Sequence, residues 1–449
     1  MTIAVPQQQL PTALAAAPPA AALPTVVGAA LRVPVVTGER VEYANLDHAA
    51  SAPCLEQVRD AVDEVLPWYA SVHRGAGFAS QVSTKVYEQA RASVRRFLNA
   101  RATDAVVFTR NTTDALNLLA RSLPKRTAVI LFDTDHHAAL LPWRGPNVRR
   151  LRTPPSPAGA VLELDRALRE APVGPRLVVV TGASNVTGEV WPVAELARVA
   201  RRHGARIVLD AAQLAPHRPV DVRALDVDYT VLSGHKVYAP FGAGVLVGRS
   251  DWLQAAEPYL VGGGATARVT DHGDRLGVAW SAVPERHEAG TPNVVGVHAL
   301  AVACDVLGRH WEQTTAHERT LLARLRAGLR TVPGAHELAL FGPDHDRVGV
   351  VSFTVGGQDA GYLAAALSAE HGIGVRDGAF CAHVAVHRLT HGERALRASI
   401  GLGTTEEHVD RFVAALRTLV TEGSRWEYEL RDGRWAPVDD QRALPPFLR

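Results

Sequence analysis

The chain has 449 residues, 47% hydrophobic and 21% charged, with a net charge of +2. That balance describes a globular protein large enough for two cores. Without a basic stripe or an acidic tail, it excludes nucleic acid and membrane surfaces as the main partner. Three scattered cysteines, Cys54, Cys304 and Cys381, are too few for a disulfide framework. They point to a reducing cytoplasm, where one can serve as a reactive thiol.

In chain order, residues 1–27 read as a disordered or loosely attached leader. They lack the basic start of a secretory signal, and Pro18, Pro19 and Pro24 interrupt the alanine run. No apolar run approaches the roughly 18 residues that cross a bilayer. Residues 28–44 read as an N-terminal segment packed with the small domain. Residues 45–295 read as a large domain, 296–424 as a small C-terminal domain and 425–449 as an extension. A short entry strand and turn precede a helix near 55–69, and residues 68–80, with Ser71-Val-His-Arg-Gly75, read as an ordered loop over a pocket. Val82, Val86, Ala90, Val94 and Phe97 recur at helical spacing and predict an amphipathic helix over 82–98. Short runs at 105–109, 128–132, 177–180, 207–210, 229–232 and 244–247 are apolar at nearly every position and alternate with helices. This pattern predicts a mostly parallel sheet buried on both faces, with ligands at the carboxyl ends of its strands. A Gly-rich stretch follows at 262–274, then a long helix at 295–311. The second unit reads as helix 317–331, strand 348–355, helix 360–371, loop 372–381, strand 397–400 and helix 405–421, an α+β pattern. The tail carries Trp426, Tyr428 and Trp435, which predicts that it packs on the body.

Two stretches carry chemistry. Asp210-Ala-Ala-Gln213 ends one apolar run, and Ser233-Gly-His-Lys236 follows another and leads into a Gly/Pro-rich loop through Gly244. A lysine that condenses with an aldehyde must be neutral part of the time, which a desolvated or positively biased pocket provides. Lys236 suits that role, although by itself it also reads as a surface lysine in a loop. Asp210 is placed either to keep a pyridine nitrogen protonated, making the ring an electron sink, or to cap the following turn. Gln213 suits the ring 3-oxygen or polar loop surface. Thr112 and Thr113 stand at a helix start, where backbone N–H groups hold a phosphate or hydroxyls simply cap the helix. Together these residues read as a pyridoxal 5'-phosphate lysine site.

The chain resembles the class V aminotransferase-fold enzymes, and within them the cysteine desulfurase and selenocysteine lyase group. Ser233-Gly-His-Lys236 carries the resemblance most specifically. It is joined by Leu46-Asp-His-Ala-Ala50, Val72-His-Arg-Gly75, Asp135-His-His137, Ser184-Asn185, Arg286-His-Glu-Ala-Gly-Thr-Pro-Asn293 and Arg397-Ala-Ser399. The resemblance implies an α/β fold of the PLP-dependent transferase, aspartate aminotransferase-like type (fold type I), with a mostly parallel large-domain sheet and a smaller α+β domain. It implies that Lys236 carries the cofactor, Asp210 pairs with the ring nitrogen and His136 stacks on the ring. Thr113, Ser233 and His235 hold the phosphate, with Thr112 nearby, and Gln213 the 3-oxygen. Asn185 and Arg397 take the substrate carboxylate, with His73, Arg74 and Arg376 also on the substrate side. Thr291 reaches the phosphate of a neighbouring subunit, which makes the protein a homodimer with shared active sites.

By the same resemblance Cys381, in Arg376-Asp-Gly-Ala-Phe-Cys-Ala382, stands where desulfurases of the group carry their sulfur-accepting cysteine. A packed core thiol is the other reading, and the favoured one for Cys54 and Cys304. The implied reaction takes sulfur from L-cysteine as a Cys381 persulfide, leaves L-alanine and calls for a sulfur-acceptor protein. Two departures leave the substrate open. Ala379 and Phe380 replace two histidines, and Asp135 and Ala139 replace a Glu and an Asn. A C–S β-lyase, selenocysteine lyase or epimerase of the same fold is the alternative. A non-enzymatic scaffold would need none of Lys236, Asp210, Asn185 and Arg397. No metal is expected: His136 and His137, adjacent at a strand end, point apart, and Cys381, His383 and His387 lack a fourth ligand.

Overall fold

A computed structural model describes residues 22–392 and 394–448. Most of the expected leader, residues 1–21, lies outside the described residues. Where the remainder is described, the chain is attached earlier than expected: Pro24 and Val26 are buried, and Val26 bridges to Leu55. Their apolar side chains find cover that the proline-interrupted sequence does not advertise. A hairpin of β1 (Arg32–Pro34) and β2 (Arg40–Glu42) leads into β3 (Ala44–Asn45), α1 (Glu56–Val65) and α2 (Phe78–Phe97).

Strands and helices then alternate through β4 (Asp104–Thr109), α3 (Thr112–Arg121), β5 (Ala128–Phe132), α4 (His137–Leu140), β6 (Val148–Leu151), α5 (Pro157–Arg169), β7 (Arg176–Thr181), α6 (Val193–Arg202) and β8 (Arg206–Asp210), after which β9 (Tyr229–Ser233) and β10 (Gly244–Arg249) follow directly, and then α7 (Ser250–Ala255). The strands form one seven-stranded sheet in the order β4-β10-β9-β8-β7-β5-β6. Only β10 runs against its neighbours. Because successive side chains face opposite ways, each strand feeds two cores. Phe108, Ile130, Val178, Ile207 and Leu232 join α1, α2, α5, α6 and α8 on one face, whereas Val107, Val129, Leu177, Val208 and Val231 meet α3, α4 and α7 on the other. This is the physical reason the runs are apolar throughout.

A hairpin of β11 (Thr266–Asp271) and β12 (Leu276–Trp280) begins within the Gly-rich stretch at 262–274 and runs past its end. Its strands are largely exposed, so they carry none of the continuous apolar signal of the main sheet. α8 (Val294–Arg309), capped by Asn293, and α9 (Trp311–Leu329) lead to the small domain. There β13 (Ala335–Glu337), β14 (Val350–Val355), β16 (Arg376–Gly378) and β17 (Ala395–Ser399) form an antiparallel sheet in the order β13-β14-β17-β16. It packs against α9, α10 (Ala360–His371) and α12 (Glu406–Thr421). The stretch expected as a loop before Cys381 contains β15 (Ile373–Gly374), which pairs with β3, and β16. A helix not foreseen from the sequence, α11 (His383–Thr390), follows the cysteine. The tail folds into β18 (Tyr428–Arg431) and β19 (Arg434–Pro437), whose Tyr428 and Trp435 meet Tyr362 of α10 edge to face.

One buried ion pair locks the large domain. Arg91 of α2 donates to both Glu288 oxygens at 2.8 and 2.6 Å, and Glu288 also accepts the Phe108 N–H and the Tyr87 hydroxyl. Both side chains are less than a tenth exposed. Removing one partner leaves a charge buried without compensation. Arg91→Ala is therefore expected to cost about 3–5 kcal/mol, read as a lower denaturant midpoint with unchanged slope.

Candidate active site

A cavity of about 290 Å³ opens where the carboxyl ends of β4, β5, β7, β8 and β9 meet the small domain. Each strand end contributes: Thr112 and Thr113 after β4, His136 after β5, Asn185 after β7, Asp210 closing β8, and Ser233, His235 and Lys236 at and after β9. Gln213, Arg376, Cys381 and Arg397 complete the wall. The turn that presents Lys236 needs a glycine. A Cβ on Gly234 would lie 2.8 Å from the Ala243 carbonyl oxygen, so only glycine lets β9 turn this tightly against the next loop. A Cβ on Gly244 would fall 2.5 Å from the Asn111 backbone, and its absence lets α3 begin beside β10.

Burial sets the chemistry of the polar groups. Desolvation lowers Lys236 to about 8, opposed by the attraction of Asp210. Its Nζ donates to Gln213 Oε1 at 3.3 Å. Burial raises the Asp210 carboxyl, which among the described residues accepts only the Ala212 N–H, at 3.0 Å. Burial holds His136 down at about 3, so the ring is neutral. Its Nδ1 accepts the Ala138 N–H, which leaves the proton on Nε2. At the start of α3 the Thr112 N–H and hydroxyl both meet Ser233 Oγ at 2.8 Å.

Arg397, on β17, is buried. It donates through Nη1 to the Asn185 carbonyl at 3.0 Å and through Nη2 to Asp47 Oδ1 at 3.2 Å. Among the described residues its Nε has no acceptor. Asp47 also accepts Arg376 Nε at 3.0 Å, so one carboxylate joins two arginines of the cavity wall. The Phe380 ring covers the Arg397 guanidinium at 4.9 Å, and the Phe380 carbonyl accepts the Asn185 amide at 2.7 Å. Phe380 and the exposed Cys381 both adopt left-handed backbone, at φ 51° and 53°, which costs roughly 1–2 kcal/mol per residue. These contacts hold the loop against that strain. Cys304 is buried on α8, and the half-buried Cys54 lies away from the cavity.

Three of the expected residues do not line the cavity of Lys236. His73, Arg74 and Thr291 line a second cavity with Glu285 and Glu288. Asp47 was given no role from sequence, although it sits in the Leu46–Ala50 motif. Only its position between Arg376 and Arg397 reveals one.

Comparison with known proteins agrees with this architecture. The aminotransferase class-V family matches residues 44–412. A cysteine desulfurase of Klebsiella pneumoniae is 38% identical over 396 residues, 86% of this chain and 94% of that protein. Its counterpart in Dickeya dadantii is 39% identical over 401 residues, 86% and 93% of the two chains. The apo structure of a cysteine desulfurase from Thermococcus onnurineus superposes with a TM-score of 0.76 at 32% identity, covering 85% of this chain and 95% of that one. An Escherichia coli cysteine desulfurase in S-sulfonic acid form gives 0.71 at 30% identity, covering 83% and 94%.

The chain has three lysines, Lys85, Lys125 and Lys236, which makes the buried one easy to follow. An amine with its pKa lowered to about 8 becomes nucleophilic as pH rises through that value. Labelling of the Lys236 peptide by a small aldehyde and borohydride is expected to rise through pH 8 and level off above it, as read by peptide mass spectrometry.

Proposed function

The chain belongs to the aminotransferase class-V family, and from that premise we propose that it is a pyridoxal-phosphate-dependent cysteine desulfurase. It takes sulfur from L-cysteine, leaves L-alanine and holds the sulfur as a persulfide on Cys381. The observation that carries the reading is one cavity wall bearing an amine of lowered pKa, a buried guanidinium and an exposed thiol.

The residues present fit the cofactor. Asp210 is a buried carboxyl with a single backbone donor among the described residues, and a protonated ring nitrogen would supply a further partner. The α3 N-terminus, with Thr112, Thr113, Ser233 and His235, offers backbone N–H and side-chain donors for the phosphate. Gln213 is assigned to the 3-oxygen and the neutral face of His136 to the ring. Bound there, pyridoxal phosphate supplies an electron sink beside the substrate α-carbon.

The chain does the rest. Arg397 and Asn185 take the substrate carboxylate, a planar match that lysine would not provide. Arg376, beside Asp47, lies on the same side. The Lys236 amine, neutral above about pH 8, accepts the α-proton. The Cys381 thiolate attacks the substrate sulfur. An S–S bond forms as the C–S bond breaks, the electron pair stays with the β-carbon, and a proton taken up there, together with the proton that Lys236 returns to the α-carbon, completes alanine. A sulfur-accepting protein then takes the terminal sulfur.

We also propose a homodimer with shared sites, supported by His73, Arg74 and Thr291 lining a cavity other than that of their own Lys236 and by the exposed Val269, Leu276 and Val278 of the β11–β12 hairpin. A cytoplasmic setting suits three free cysteines. Among the described residues no helix is long and apolar enough to cross a membrane, and no cluster could hold a metal ion.

The cofactor is expected to give an absorbance near about 420 nm, absent in Lys236→Ala. With L-cysteine, wild type is expected to yield alanine and a protein persulfide, and Cys381→Ala neither. Lys236→Ala should lose on the order of 10²–10⁴-fold in turnover. Pyruvate, ammonia and sulfide from both wild type and Cys381→Ala would instead identify a C–S β-lyase. Turnover of selenocysteine or epimerisation, without cysteine desulfuration, would identify the other chemistries of this fold.

A further inference from the structure

Cys381 is fastened from two sides, and only one of them belongs to the cavity. On its N-terminal side Phe380 gives its carbonyl to Asn185 and its ring to Arg397. On the other side the Cys381 carbonyl accepts the His137 N–H at 2.8 Å. The His137 ring in turn lies against that of His383, with centroids 4.9 Å apart and planes 9° from parallel. His137 Nε2 approaches His383 Nδ1 to 3.2 Å. His137 opens α4 directly after His136, and His383 opens α11 two residues beyond the thiol. The ring pair therefore joins the helix on the cavity wall to the helix that follows the nucleophile.

We propose that His383 is a positioning residue for Cys381: stacked on His137, it keeps the loop in the conformation that turns the thiol toward the Lys236 cavity. The proposal rests on the reading of Cys381 as the sulfur acceptor. Phe380 and Cys381 both occupy left-handed backbone, a state that persists only where the surroundings fix it. Fastened through Phe380 alone, the segment relaxes toward ordinary angles by rotation at Cys381, and the thiol swings away. Fastened at both ends, that rotation is blocked. Neither imidazole lines the cavity, so His383 acts through His137 and the loop, not on the substrate.

The test uses the full-length, pyridoxal-phosphate-loaded protein as wild type, His383→Ala and His383→Phe, with three readouts. The first is persulfide and alanine formation from L-cysteine. The second is exchange of the L-alanine α-proton with D2O, which calls on Lys236 but on no thiol. The third is the rate of Cys381 alkylation by iodoacetamide, followed by peptide mass spectrometry. His383→Ala is expected to slow sulfur transfer on the order of 10- to 100-fold, the scale of a misplacement of about 1 Å. KM for cysteine and α-proton exchange should stay unchanged, and the alkylation rate of the already exposed Cys381 should shift from the wild-type value as the thiol leaves its place on the cavity wall. His383→Phe, which keeps a stacked ring, should recover most of the loss. Wild-type sulfur transfer in His383→Ala, equal loss of transfer and exchange, or no recovery in His383→Phe would overturn the proposal. If wild type exchanges α-protons but forms no persulfide, the desulfurase reading fails. Alkylation then decides alone, and an unchanged rate in His383→Ala overturns the positioning role.

Discussion

The buried guanidinium of Arg397 is the constraint from which the rest of the site takes its shape. An isolated charge at this depth would be prohibitively costly, so its partners have to be in place. They come from distant parts of the chain: the Asn185 carbonyl after β7, Asp47 beyond β3 and the Phe380 ring ahead of Cys381. Satisfying one cation therefore brings the entry segment, the large sheet, the small sheet and the cysteine loop to one point. Asp47 extends the arrangement by holding Arg376 as well.

Desolvation then acts on Lys236, Asp210 and His136 in the same direction, toward neutrality. It brings the Lys236 amine down to about 8, raises the Asp210 carboxyl and keeps the His136 ring uncharged. The attraction between Lys236 and Asp210 opposes this and limits the lysine shift. An amine neutral for part of the physiological range beside a carboxyl in need of a donor is the state that imine chemistry at an aromatic nitrogen heterocycle requires. It arises mainly from depth, with the neighbouring Arg397 guanidinium also lowering the Lys236 amine.

The main sheet was legible because its strands are covered on both faces, so their apolar runs stand out against helices of regular period. The β11–β12 hairpin and α11 were not. The hairpin is exposed and glycine-flanked, and α11 is a helix of eight residues whose buried apolar positions, Ala385 and Val386, are too few to set a period. The site residues that follow the strand ends, from Thr112 to Lys236, were legible as short motifs and line a common cavity. His73, Arg74 and Thr291 belong to motifs as distinct, yet they line another cavity, since a motif carries no information about which wall it joins.

By itself the sequence determined the fold class and marked Lys236 and Asp210, which line one cavity, because burial periodicity and short motifs are local properties that survive in one dimension. Tertiary structure alone decided how Cys381 is presented. The left-handed backbone at Phe380 and Cys381, the guanidinium beneath the ring and the paired imidazoles of His137 and His383 join residues as far apart as 137 and 383. No local pattern encodes such contacts. They exist because packing two domains around a buried charge leaves the loop one conformation in which its polar groups are satisfied.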